Sequence, residues 1–159
     1  MSDNTNGELY DLKEDTQKDK FLTFILDNEF YGIDICYVTE IIGLQTITEL
    51  PNLPEYIKGI INLRGKIIPV MDVRLRFKKA AIDYNDRTCI IVFDVADISI
   101  GLIVDSVSEV VSIREEDIVP PPDLKKSGNH YIKGIGKVGD DVKLILDYNR
   151  LINGLDKFS

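Results

Sequence analysis

Short apolar runs, separated by turn-forming residues, cover most of the chain and predict β-strands rather than long helices. The predicted strands of the first half are Phe21–Leu26, Phe30–Ile35, Ile41–Glu49, Tyr56–Leu63 and Lys66–Val73. Those of the second half are Arg87–Val95, Ile98–Val104, Glu109–Ile113, Tyr131–Val138 and Val142–Asp147. A short helical turn is predicted after each set, over Arg74–Phe77 and Tyr148–Leu155. The pattern is therefore that of a mainly all-β protein.

The same pattern occurs twice along the chain. The pentapeptide Tyr56–Ile60 recurs unchanged as Tyr131–Ile135, an offset of 75 residues, and an earlier match places Gly32 on Gly101 at an offset of 69. The change of offset indicates an insertion near Lys125–His130. We therefore predict two copies of one structural unit.

The two units span residues 20–80 and 86–155, within one domain of residues 20–159. Five short strands cannot form a two-layer sandwich alone. We expect each set to close into a small barrel, which removes exposed sheet edges, and the two barrels to pack together.

The charge of the chain restricts its partners and its location. Its formal net charge is −8, so phosphate backbones should repel it and nucleic acid is not an expected partner. Residues 1–19 hold six acidic residues and two lysines, and we expect them to form a flexible acidic tail. No apolar run approaches the length of a membrane helix, and the acidic N-terminus has no signal region, so a cytoplasmic protein without membrane insertion is predicted.

Residue sets that carry catalysis are missing from the sequence. The single histidine, His130, lies in the predicted insertion, and no nucleophile elbow or phosphate-binding loop is present. Cys36 and Cys89 lie in apolar sequence without metal-site spacing and are expected to be buried free thiols. We expect a binding protein with no enzymatic activity, metal or cofactor.

Several residues are candidates for a binding surface, each with a simpler alternative. Glu40 is either a charge at the rim of a groove or a solvated strand end, and Arg64 is either a contact residue or a solvated arginine in a hairpin turn. Ile35 and Val38 flank a predicted bend and are either core or interface residues. Between residues 58 and 79 there are seven basic residues and one acid, a predicted patch that would steer an acidic partner.

Three segments resemble the signatures of the CheW-like domain family. Tyr31–Ile41 resembles its "YGIDI..V.EI" motif, Ile57–Val70 its "I.G..NLRG.I.P" motif, and Gly101–Asp105 its "G..VD" element. The resemblance covers about residues 20–155 and implies two five-stranded SH3-like β-barrels that share a hydrophobic core. The same domain also occurs in the kinase CheA and ahead of a receiver domain in CheV. Neither kinase nor receiver domains are found here, so a free-standing adaptor is expected.

The resemblance also implies partners. Members of the family couple the cytoplasmic tips of methyl-accepting chemoreceptors to the histidine kinase CheA in signalling arrays at the inner face of the membrane. They bind the regulatory domain of CheA at the barrel edges and the receptor tip in the groove between the barrels. By this resemblance the receptor-binding residues are Ile35, Val38, Glu40, Gly59 and Arg64, and the kinase-binding residues are Ile42 and Leu44.

Two alternatives stay open at this point. The same domain could serve another receptor–kinase pathway, such as surface motility, and the sequence does not separate the two. A small-barrel nucleic-acid binder is the second alternative. The acidic balance argues against it, as does the lack of aromatic residues within the basic stretch.

Overall fold

The computed structural model describes residues 17–122 and 129–155 of the chain. Most of the predicted acidic tail and most of the predicted insertion near Lys125–His130 lie outside the described residues.

The described residues are mostly β-structure, as predicted. The strands are β1 (Lys20–Leu26), β2 (Glu29–Asp34), β3 (Val38–Gly43), β4 (Ile57–Leu63), β5 (Lys66–Asp72), β6 (Cys89–Val95), β7 (Ile98–Val104), β8 (Ser106–Ser112), β9 (Ile118–Val119), β10 (Ile132–Val138) and β11 (Asp141–Leu146). Two four-residue helices, α1 (Val73–Arg76) and α2 (Tyr148–Leu151), follow β5 and β11. Three 3₁₀ turns cover Ile35–Tyr37, Glu115–Asp117 and Asn129–Tyr131.

The strands form two sheets. One sheet has six strands in the order β8-β1-β2-β11-β10-β9, and the other has five in the order β3-β6-β7-β5-β4. The first sheet has one strand more than the predicted five, because the two-residue β9 lies beside β10.

Among the described residues neither sheet is closed by a continuous ladder. After β3 the chain crosses to the opposite edge of its sheet. There Thr48 and Ile60 exchange two backbone hydrogen bonds of 2.9 Å. The strand β9 makes the same crossing in the other sheet, and this form is consistent with SH3-like barrels.

The two sheets do not coincide with the two repeats. The six-stranded sheet combines the β1–β2 hairpin of the first repeat with β8–β11 of the second, and the five-stranded sheet holds β3–β7. Each exchanged hairpin is joined to its new sheet by a parallel ladder, β2 with β11 and β7 with β5. The expectation that each repeat closes its own barrel is therefore wrong. Short crossings after β2 and β7 carry the chain directly into the other sheet.

A shared core joins the two sheets, as the family resemblance implies. It contains fully buried side chains from both sheets, among them Phe24, Leu26, Phe93, Leu102 and Leu146. A smaller apolar cluster fills the inside of each sheet. The five-stranded sheet encloses Ile61, Ile68, Val70, Ile90, Val92 and Ile103, and the six-stranded sheet encloses Phe21, Val111, Ile113 and Ile145.

Arg76 of α1 also connects the repeats. Its Nε donates to the carbonyl of Leu151 at 3.1 Å, and its guanidinium lies 4.2 Å from the ring centre of Tyr56 and 5.2 Å from that of Tyr131. The two tyrosines occupy equivalent positions in the repeated pentapeptide. Hydrogen bonds and cation–π contacts thus hold this arginine between the two halves of the chain.

Candidate protein-interaction site

Glu40 and Arg64 form an ion pair between the two edges of the five-stranded sheet. We call the line where the edge strands β3 and β4 face each other the seam. Glu40 lies on β3 and Arg64 at the tip of the β4–β5 hairpin, so the pair joins the two outer strands of the sheet order. The Nη2 of Arg64 lies 2.7 and 2.6 Å from the two carboxylate oxygens of Glu40. The Arg64 side chain is nevertheless 71% exposed, against 29% for Glu40. Arg64 is therefore an exposed arginine in a turn whose charge is paired with the Glu40 carboxylate.

The tight turn positions the Arg64 side chain. Arg64 and Gly65 both have positive φ, 52° and 89°, and the Asn62 side chain accepts a hydrogen bond of 2.8 Å from the Gly65 amide. These dihedral signs are those of the turn that two-residue hairpins favour. The predicted hairpin is confirmed, and it holds the arginine at the outermost point of the sheet.

Gly59 lies on the same seam, where the backbones of two segments touch. Its φ is 148°, and an added Cβ would overlap the carbonyl of Thr48. The backbones at Gly59 and Thr48 therefore approach too closely for any side chain at position 59. Glu40, Gly59 and Arg64 share one seam, while the assignment of Gly59 to receptor binding stays a prediction.

Ile35 and Val38 lie where the chain passes from the six-stranded to the five-stranded sheet. Both are half-buried and pack against the shared core. The pairing of β3 with β6 shifts its register between Val38 and Glu40, so strand alternation does not place these two side chains on one face. The side chains of Ile35 and Val38 each have one side in the core and one in solvent. Ile35 and Val38 are therefore both core and surface residues.

Ile42 and Leu44 differ in accessibility. Ile42 is half-buried against the cluster inside the five-stranded sheet, whereas Leu44, just after β3, is 38% exposed. The structure also exposes apolar residues that the sequence reasoning missed. They include Ile41 and Ile67 and their repeat equivalents Val110 and Val142, all between 44% and 55% exposed. Strict alternation along β3 and β5 could have indicated them, since each neighbours a buried or half-buried position.

The predicted basic patch of residues 58–79 does not exist as one surface. Arg64 binds Glu40, Arg76 binds backbone carbonyls, and Lys66 donates to the Ser99 hydroxyl at 2.6 Å. Arg74 and Lys79 lie at a separate acidic cluster. The prediction was wrong because closeness in sequence does not place side chains on one face once strands and hairpins are folded.

Arg74 forms the most buried ion cluster among the described residues, and the sequence reasoning missed it. Its Nη2 lies 2.7 Å from Asp27, its Nη1 2.7 Å from Asp105, and its Nε donates to the Ala80 carbonyl at 2.9 Å. Lys79 approaches Asp27 at 3.8 Å. Burial alone would lower the pKa of the Arg74 guanidinium, but the two carboxylates outweigh it and raise that pKa.

Among residues 17–122 and 129–155 no group of three His, Cys, Asp or Glu side chains is arranged to hold a metal. Cys36 is exposed, so its expected burial is wrong: the 3₁₀ turn at Ile35–Tyr37 leaves it at the surface. Cys89 is half-buried, and its Sγ–H donates to the Arg87 carbonyl at 3.2 Å. No helix of the described chain is long and apolar enough to cross a membrane.

Comparisons with known proteins agree on one family. Residues 20–156 match the model of the CheW-like domain. The chain is 37% identical to the chemotaxis protein CheW of Klebsiella aerogenes over 143 residues, which is 89% of this chain and 86% of that protein. It is 33% identical to the chemotaxis protein CheW of Treponema pallidum, over 84% of this chain and 82% of that protein.

A solved structure is similar as well. The crystal structure of the scaffolding protein TtCheW from Thermoanaerobacter tengcongensis has a TM-score of 0.78 and 39% sequence identity. The similarity covers 85% of this chain and 92% of that one.

Proposed function

Because this chain belongs to the CheW-like domain family, we propose that it is a chemotaxis adaptor that couples methyl-accepting chemoreceptors to the histidine kinase CheA. The observation that carries the proposal is the family match over residues 20–156, together with 37% identity to a chemotaxis CheW protein along almost the whole chain. The proposed role is that of a scaffold in a signalling array, with no catalytic activity of its own. Its proposed location is the cytoplasm, at the inner face of the membrane through the receptors.

The geometry of the seam supports a role in protein binding. Arg64 offers an exposed cation whose direction is fixed by Glu40, so a partner does not have to order a free arginine side chain. Ile41 and Leu44, on β3 and just after it, are exposed apolar residues of the same segment as Glu40. A fixed charge and exposed apolar residues suit a partner with an acidic residue and an apolar contact.

The assignment of partners to residues is part of the proposal. We assign the receptor tip to Ile35, Val38, Glu40, Gly59 and Arg64, of which Gly59 is itself buried and would act by shaping the backbone. The regulatory domain of CheA is assigned to the strand of Ile42 and Leu44. Since Ile42 is half-buried and Leu44 exposed, Leu44 is the residue of this pair that a partner can reach.

A pulldown with both partners from the same organism tests this function. Immobilised full-length protein is incubated with the CheA regulatory domain and a receptor cytoplasmic fragment, at about micromolar concentration. We expect a ternary complex to be retained. Retention of neither partner would contradict the proposal. Arg64→Glu tests the seam in the same assay, and Lys137→Glu on the exposed face of β10 is its control, since it makes the same charge change away from the seam.

The same experiment distinguishes the chemotaxis role from the remaining alternative, a scaffold for another receptor–kinase pathway such as surface motility. The chain would then retain the receptor and kinase of that pathway and not those of the chemotaxis system. A gel-shift assay with mixed oligonucleotides at physiological salt checks the nucleic-acid alternative. The net charge of −8 predicts no shift.

A further inference from the structure

Arg76 has hydrogen-bond donors that the described part of the chain does not use. Its Nε donates to the Leu151 carbonyl at 3.1 Å, and its Nη2 donates to the carbonyls of Arg150 and Asn153 at 3.4 and 3.3 Å. Its Nη1, which carries two further N–H groups, has no acceptor there. The residue is half-buried, and Nη1 itself remains accessible to solvent.

Arg76 also lacks a carboxylate partner. Four other arginines each pair with an acidic side chain at 3.6 Å or less: Arg64, Arg74, Arg114 and Arg150. No acidic residue within residues 17–122 and 129–155 lies within 4.0 Å of Arg76. The repeated unit does not require a cation here, since at the offset of 75 Arg76 corresponds to Leu151, which is fully buried. The cation is therefore a feature of the first repeat alone.

Two tyrosine hydroxyls beside Arg76 are unused as well. The ring centres of Tyr56 and Tyr131 lie 4.2 and 5.2 Å from the guanidinium carbon. Neither hydroxyl makes a hydrogen bond within the described chain, and neither is buried. The other four described tyrosines all have hydrogen-bonded hydroxyls: Tyr31, Tyr37, Tyr84 and Tyr148. Unused donors therefore gather around one half-buried guanidinium.

We propose that Arg76, Tyr56 and Tyr131 form a carboxylate-binding site whose ligand is an acidic side chain of the receptor tip. Because Nε and Nη2 already donate to carbonyls, the carboxylate binds Nη1 through one oxygen and accepts a tyrosine O–H on the other. The carbonyls and the two rings hold the guanidinium in place, so the ligand does not have to order it.

A side chain on a bound protein suits this site better than a free organic acid. A single ion pair is too weak to hold a free acid, but it adds to the affinity of a partner that other contacts already hold. The receptor is chosen because α2 links the site to residues assigned to it. The Tyr148 hydroxyl of α2 donates to Tyr37 in the turn Ile35–Tyr37, and carbonyls at the end of α2 bind Arg76. This choice rests on the proposed function.

A titration with sodium acetate tests the site directly. Full-length protein labelled with ¹⁵N and ¹³C is followed by the Nε–H resonance of Arg76 and the ring resonances of Tyr56 and Tyr131. Sodium chloride at equal ionic strength is the reference. We expect a saturable shift in acetate, half complete at about 100 mM, and none in chloride. No shift, or the same shift with both salts, would overturn the proposal.

Substitutions show whether the named groups carry the binding. Arg76→Gln should abolish the response of the tyrosine rings to acetate, whereas Lys78→Gln, which removes an exposed charge two positions along the chain, should not. An unchanged response in Arg76→Gln contradicts the proposal. If Arg76→Gln does not fold, Tyr56→Phe with Tyr131→Phe keeps both rings and removes both hydroxyls. This variant should bind acetate about threefold to tenfold more weakly, and equal affinity would refute the site.

The chain itself offers an alternative carboxylate in Asp156, just outside the described residues. We expect the same acetate titration curve for Asp156→Asn and for the unsubstituted protein. If acetate shifts the Arg76 resonance only in Asp156→Asn, the chain fills its own site and the assignment to a partner is wrong.

Receptor binding identifies the source of the ligand. Tyr56→Phe with Tyr131→Phe should weaken binding of a receptor fragment by about threefold to tenfold. Unchanged receptor affinity in a variant that has lost acetate binding would show that the site takes a free organic acid, and the assignment to the receptor would fall. If the unsubstituted protein binds no receptor fragment, the proposed function fails, while the acetate titration still decides the chemistry of the site.

Discussion

At the residue scale, the pairing of Glu40 and Arg64 changes what a substitution at either position tests. The pair spans the two outer strands of the sheet order and leaves most of the arginine exposed. It can therefore act in two ways. It either closes the seam or presents a cation to a partner. An exposed pair contributes only about 0–1 kcal/mol to stability, so the second role is the one that binding assays should detect.

We predict that Arg64→Glu weakens receptor binding by about tenfold and leaves the unfolding midpoint nearly unchanged, since a reversed charge repels an acidic partner. Isothermal titration and urea unfolding measure the two quantities. The double variant Glu40→Arg with Arg64→Glu rebuilds the pair in reverse. It should not restore binding, because the exposed cation has moved. Restoration would show that the pair acts through the seam alone.

A substitution at Gly59 separates an effect on the free energy of unfolding from an effect on partner binding. We predict that Gly59→Ala lowers the free energy of unfolding by about 2–4 kcal/mol, because its positive φ and the overlap with Thr48 both oppose a side chain. Gly43→Ala is the control, since a Cβ there meets nothing within 4 Å. Its effect should stay within about 0.5 kcal/mol. Lost partner binding at unchanged stability in Gly59→Ala would instead make this glycine a direct contact.

At the element scale, the repeat offers two equivalent helix caps in different surroundings. Asp72 caps α1 by accepting from the Leu75 amide at 3.4 Å and also accepts from the Tyr84 hydroxyl at 2.8 Å. Asp147 caps α2 by accepting from the Arg150 amide at 3.3 Å. Asp72 is buried and Asp147 half-buried. Burial and the hydrogen bond to Asp72 raise the pKa of Tyr84, so this tyrosine stays neutral.

We predict that Asp72→Ala costs about 2–3 kcal/mol of stability and Asp147→Ala about 1 kcal/mol. Both lose a cap, but only Asp72→Ala leaves the partly buried Tyr84 hydroxyl without its acceptor. Urea unfolding of the two variants measures the difference. Adding Tyr84→Phe to Asp72→Ala should recover part of the loss. Equal costs for the two caps would show that the contact with Tyr84 contributes nothing.

The strands themselves were largely predictable, but their ends and pairing were not. Alternation located each long strand, yet β3 begins at Val38 and not at Ile41, and it ends at Gly43. The predicted strand continued to Glu49, but the ladder with β6 ends where Gly43 pairs with Cys89, the first residue of β6. Beyond Gly43 only the single bridge between Thr48 and Ile60 remains. The two-residue β9 is too short to show a period. The Arg74 cluster joins positions 27, 74 and 105, and such distances along the chain leave no local pattern.

At the scale of the whole molecule, the two repeats exchange their first hairpins, β1–β2 and β6–β7. The five-stranded sheet is built from the continuous segment β3–β7, while the six-stranded sheet needs both ends of the described chain. Sequence similarity between the repeats revealed the units but not this assembly, because a hairpin can pair with either copy of the same pattern. The shared core is what couples the two sheets. Phe24 and Phe93, at equivalent positions of the two repeats, both lie in it fully buried.

This assembly predicts that neither repeat folds alone. A fragment of residues 20–80 would lack β6, β7, β8 and β11. In it β3 would lose its only neighbour and β1, β2 and β5 would each lose one of two, so that only the β1–β2 and β4–β5 hairpins keep their pairing. It would also expose Phe24 and Leu26 to water, since their packing partners in the shared core come partly from the second repeat. We expect poorly dispersed amide spectra for this fragment and for residues 86–155.

Mixing the two fragments should restore dispersed spectra, because all strand pairs and the shared core can then form between chains. The six-stranded sheet would be rebuilt by β1 pairing with β8 and β2 with β11, both across the cut. A dispersed spectrum from residues 20–80 alone would show instead that the first hairpin can replace its repeat equivalent beside β5. The exchange would then be a preference among two pairings of similar stability, set by the shared core and the Arg74 cluster.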